Sequence, residues 1–153
     1  MGDNEVFSEK PGFWTDLRYT NNLSSSKFNF MAKLPDETIS TIFRLQQRLV
    51  ALLDTATAAE YILLQQFGET EETMPELEAI DNVKERLRIP YNRLHRILQQ
   101  VAESQPAATP DVLDFLYRTI DQGEAIADAS EASIQEIKRS WNLPWLNSQE
   151  YPI

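Results

Sequence analysis

The chain has 153 residues, a net charge of −10, 42% hydrophobic and 25% charged residues, and no cysteine. It fits one ordinary globular domain and excludes a disulfide framework, thiolate metal sites and thiol nucleophiles. The acidic excess opposes direct binding to nucleic acid or anionic lipid, both held mainly by Lys and Arg. No apolar run approaches the roughly 18 residues a membrane span needs, and residues 1–10 are too polar for a signal peptide, so a cytoplasmic protein without membrane insertion is expected.

Residues 1–34 contain Pro11, Gly12 and the polar residues Asn21, Asn22, Ser24, Ser25 and Ser26, with no sustained period. They read as an extended or partly disordered tail. The same stretch carries Phe7, Phe13, Trp14, Tyr19, Phe28 and Phe30. Burying even one aromatic contributes about 1.5–3 kcal/mol, so part of this segment is expected to dock on something.

A helical bundle is expected over residues 35–141. The first helix, about 35–67, opens on Pro35, whose missing N–H costs nothing at a helix start, with Asp36 and Glu37 against the positive end of the dipole. Its seam of Ile42, Leu45, Leu49, Leu52, Ala56, Ala59 and Leu63 alternates steps of three and four. Phe43, Val50, Leu53 and Ile62 widen that stripe, as a helix touching two partners requires. Gly68 ends it, since glycine tolerates the left-handed turn.

The second helix, about 75–104, follows a polar loop and opens on Pro75. Its seam is Leu77, Ile80, Val83, Leu87, Tyr91, Leu94, Leu98 and Val101. Pro90 inside this run removes one backbone hydrogen bond at a cost of about 3 kcal/mol, which predicts a kink or break between residues 88 and 90. Thr109 can cap the third helix, about 110–141, whose seam is Leu113, Leu116, Ile120, Gly123, Ala127, Ser130, Ile134, Ile137 and Trp141. That seam is bulky at its ends and small in the middle. Leu143 and Pro144 stop it, leaving a tail over 142–153 with Trp145, Leu146 and Tyr151.

Short loops force antiparallel neighbours. The expected fold is therefore all-α, an antiparallel up-down-up three-helix bundle, or four helices if the second breaks at Pro90, with extended N- and C-terminal tails. Helices one and three then run parallel, which places Ala56 and Ala59 level with Ser130 and Ser133. Either the two helices approach closely there or Leu87 fills the space.

Charge is unevenly spread: residues 36–74 carry −5 and 106–141 carry −4, while 75–105 balance. Asp114, Asp121 and Asp128 recur every seven residues, with Glu124 and Glu131 beside them, giving the third helix an acidic face. Antiparallel folding sets Arg93 near Asp121 and Glu124, and Arg86 near Asp128 and Glu131. Such surface pairs contribute only about 0–1 kcal/mol each, so their main effect is to select register and neighbour. The functional alternative, a cation site or a docking face for a basic partner, lacks the turn glycines and closely spaced oxygen ligands of hard-cation loops.

Chemistry is sparsely encoded. His95 is the single histidine, and no Glu-x-x-His element accompanies it, which excludes the two-metal carboxylate bundle sites. Set between Arg93 and Arg96, it reads as an exposed polar residue. No Ser-His-Asp order or Gly-rich phosphate loop is present, and the chain has four glycines. No catalytic residue, metal ligand or cofactor is therefore assigned.

The terminal aromatics are the least explained feature. Phe13, Trp14, Trp145 and Leu146 are candidate partner-binding anchors, since Trp concentrates binding energy at interfaces. The structural alternative is that the tails fold back and close the bundle. The expected function is a non-enzymatic protein–protein interaction module, an adaptor, regulator or assembly factor, with another protein or a second copy of the chain as partner. Two alternatives stand behind it: a carrier for a small apolar ligand or pigment using the small-residue middle of the bundle, and an acidic inhibitor that mimics nucleic acid.

Overall fold

A computed structural model describes residues 34–144, and these form three long helices joined by short loops. Helix α1 spans Asp36–Phe67, α2 spans Met74–Glu103 and α3 spans Pro110–Ser140. Every pair of helices is in contact, so the architecture is an all-α three-helix bundle. The four partner-binding residues expected from the sequence, Phe13, Trp14, Trp145 and Leu146, lie outside the described residues.

Helix boundaries follow local chemistry. Gly68 ends α1 at φ 71°, its N–H donating to the Leu64 carbonyl. The Thr73 hydroxyl ties the following loop together by donating to the Gly68 carbonyl at 2.8 Å while accepting from the Thr70 N–H at 2.8 Å. This buried threonine makes the loop a fixed turn rather than a solvated link. At α3, the Thr109 hydroxyl accepts from the Val112 N–H, the expected N-cap.

The far end of α3 is closed by a Schellman arrangement. Asn142 takes φ 50°, its N–H donates to Arg139, and the Leu143 N–H donates to Lys138 at 2.9 Å. Leu143 is buried by this turn. Nearby, Trp141 is partly buried and packs edge-on against Phe67 of α1, with ring centroids 5.0 Å apart.

All seven seam residues of α1 are buried. Phe43 and Val50 are not part of the core: they remain 53% and 50% exposed, whereas Leu53 and Ile62 pack against the core as expected. Residues 43 and 50 lie on the side of α1 turned away from both neighbours, and a three-helix bundle offers that side nothing to touch.

Helix α2 does not break. It runs unbroken through Pro90, whose ring is buried. The carbonyl that loses its partner belongs to Arg86, an exposed residue within reach of water. The seam shifts by one position at this point, from the expected Tyr91, which is 37% exposed, to Pro90 itself. The proline ring meets the third helix at Gly123: a Cβ placed on that glycine would stand 3.5 Å from Pro90 Cβ and 3.0 Å from Leu45 Cδ2. Small residue, proline ring and leucine from three helices thus fill one level of the core. Further along α3, Ala127 and Ser130 are buried, as are Ala56 and Ala59 of α1 and Leu87 of α2.

Candidate interaction surface

The described surface carries two polar constellations. The first is the acidic face of α3. Asp114, Asp121, Glu124, Asp128 and Glu131 are all exposed. Their partners differ from those expected. Asp128 and Glu131 are both engaged by Arg48 of α1, each at 2.7 Å, not by Arg86. Arg86 instead turns its Nε toward the Asn82 carbonyl one turn back in its own helix. Arg93 donates to the Gln122 side chain at 3.2 Å rather than to Asp121 or Glu124. Asp114 pairs with Arg118 within α3. The physical reason is the direction of the face: Asp128 and Glu131, one turn apart, border the parallel neighbour α1, where one guanidinium can bridge both.

Asp121 and Glu124 form no ion pair among the described residues. Three of the five carboxylates are thus paired internally, and two stand open among the described residues.

The second constellation was not singled out from the sequence. Between α2 and α3 runs an open groove of about 340 Å³, with Ile97 as its buried floor and Ile89 and Phe115 on its rims, 46% and 49% exposed. Arg93 and Arg96 flank it with Asn92 and Gln100. Ile89, Arg93, Arg96 and Gln100 follow steps of four, three and four, so they form one stripe along α2 beside the seam. The signal was available: two isoleucine and phenylalanine residues out of register with the seam, next to two arginines in an acidic chain.

One interhelical ion pair is well shielded. Lys84 of α2 holds Glu60 of α1 at 2.6 Å and Asp81 at 2.7 Å, with the lysine side chain 12% exposed. Burial pulls the Lys84 ammonium down, yet the hydrogen bonds to Asp81 and Glu60 outweigh it and hold its pKa above the ordinary lysine value. Lys138 is buried near the end of α3, and desolvation lowers its pKa. His95 is exposed, as its cationic neighbours imply.

No group of three or more His, Cys, Asp or Glu residues that could hold a metal occurs among the described residues. No helix among them is long and apolar enough to cross a membrane. Comparison of the chain with family models, with curated proteins and with solved structures finds no match.

Proposed function

We propose that this protein is a non-enzymatic, cytoplasmic protein–protein interaction module, an adaptor, regulator or assembly factor. The observation that supports this reading most is the α2–α3 groove. It joins exposed Ile89 and Phe115 to the guanidinium groups of Arg93 and Arg96. Apolar anchors with arginine at the margin are the composition that concentrates binding energy at protein interfaces.

Charge narrows the class of partner. A segment that lays apolar side chains on Ile97 and carries carboxylates at its edge would meet Arg93 and Arg96, while a basic partner would be drawn to Asp121 and Glu124. Affinity capture of the untagged protein from its own source tests the reading. A protein recovered in fixed ratio supports it, and a protein that elutes alone at every salt concentration contradicts it.

A carrier for a small ligand is the second reading, and one observation favours it. Ser130, in the small-residue middle of α3, is fully buried, and its hydroxyl has no hydrogen-bond partner among the described residues. Such a group costs about 1–3 kcal/mol unless something satisfies it. Native mass spectrometry of protein from its source reads this directly: added ligand mass favours the carrier, and the bare chain mass removes it.

A further inference from the structure

The solvent side of α1 differs from that of its neighbours. Of the ten large apolar side chains left exposed among the described residues, five lie on α1: Phe43, Val50, Tyr61, Leu64 and Phe67. Phe43, Gln47, Val50, Asp54, Thr57, Tyr61 and Leu64 alternate steps of four and three, so they line one outer stripe, and all are exposed. Its Thr57 hydroxyl donates to the Leu53 carbonyl of its own helix, which leaves Asp54 as the one charge in the stripe. The outer sides of α2 and α3 carry a charged residue nearly every turn. A seven-residue stripe at this spacing is what a helix presents to a packing partner.

A second copy of the chain is a poor occupant. In a parallel two-fold pair every residue meets itself, and in an antiparallel pair the midpoint of residues 43–64 falls beside Asp54. Either way the two carboxylates face each other at the centre of the contact, with no cation between them. The occupant should instead be largely uncharged, rich in large apolar groups, and able to bring a cation near Asp54.

We propose that the occupant is the chain's own N-terminal segment, residues 7–30, and this goes beyond the interaction-module reading without depending on it. The segment leads directly into Leu34 at the start of α1. From there to the level of Leu64 is roughly 45 Å at about 1.5 Å per helical residue, and 33 residues reach up to about 110 Å when extended. Residues 1–33 balance four acids with four bases, bring Phe7, Phe13, Trp14, Tyr19, Phe28 and Phe30, and offer Arg18 and Lys27 as partners for Asp54. The C-terminal residues 145–153 contain no Lys or Arg. Phe13 and Trp14 are then internal anchors, and contact with a partner falls to the α2–α3 groove and to Trp145 and Leu146.

The test places the photo-crosslinker p-benzoylphenylalanine at position 50 of the full chain, mixes isotope-labelled and unlabelled protein, and maps the products by mass spectrometry. Cross-links within one chain to residues 1–33 are expected. Cross-links between copies, cross-links to residues 145–153, or a yield no higher than at the exposed position 129 overturn the proposal. A second variant guards against perturbation by the probe. Val50→Glu should leave the helical circular dichroism unchanged and speed tryptic cleavage after Arg18 and Lys27 by about tenfold, as loss of apolar burial opens the segment. Unchanged cleavage rates overturn the proposal as well.

Discussion

Gly123 of α3 and Leu45 of α1 are so close that a Cβ on the glycine would lie 3.0 Å from Leu45 Cδ2. Glycine inside a helix costs about 1 kcal/mol relative to alanine, so its place here reflects the approach of the helices rather than local preference. Leu45 is 4% exposed and has little room to yield. Gly123→Ala should therefore change stability by less than about 1 kcal/mol, as gained helix propensity and crowding offset each other. Gly123→Leu should destabilise by more than about 2 kcal/mol, and adding Leu45→Ala should recover part of that loss. Urea denaturation of the single and double variants checks this; additive effects would mean that the two residues do not share a space.

Pro90 sits on the other side of the same glycine. Pro90→Ala restores the hydrogen bond to the Arg86 carbonyl, a gain of up to about 3 kcal/mol, but removes a buried ring from the core. A net stabilisation of about 1–2 kcal/mol is expected, read as a rise in thermal midpoint. A fall would show that the ring contributes more to packing than its missing N–H costs the helix.

Two interhelical ion pairs should differ in strength. The Arg48 bridge to Asp128 and Glu131 is solvent-exposed, and Arg48→Met should cost no more than about 1 kcal/mol, a loss that shrinks at high salt. Lys84 is enclosed, so Lys84→Met strands Glu60 and should cost about 1–3 kcal/mol with little salt dependence. Because the folded state raises the Lys84 pKa, its contribution is complete below the unfolded lysine value and is lost as pH rises through the folded one. The gap between the native protein and Lys84→Met should then close only at strongly alkaline pH. Chemical denaturation across pH 7–12 follows it.

Ser130→Ala removes the one buried side-chain hydroxyl that lacks a partner among the described residues. With no compensating bond to lose, the variant should be more stable by about 1 kcal/mol. A loss of similar size would instead mean that the hydroxyl is satisfied by a bound molecule, the result the carrier reading requires.

Periodicity made most of this fold legible. Every seam residue of α1 is buried, and the three helices begin and end within a residue or two of their capping signals, because steps of three and four encode one helix face without reference to what covers it. Neighbour choice was not encoded in that way. Arg48, Arg86 and Arg93 have similar local surroundings, and which acid each meets depends on the rotation of α3, which the bundle core sets. The place of Pro90 in the seam was missed for a related reason: the cost of about 3 kcal/mol is local, whereas its burial against Gly123 is tertiary. The groove at Ile89 and Phe115 stayed hidden because each residue stands beside the seam of a different helix. Only the pairing of α2 with α3 brings them together.

The proposed binding of a partner protein in the α2–α3 groove is tested by repeating the affinity capture with the double variant Arg93→Glu/Arg96→Glu beside the control Arg139→Glu on the far end of α3. The co-purifying protein should be lost with the groove variant and retained with the control, while both variants keep native helicity. Equal recovery with native protein, groove variant and control would contradict it.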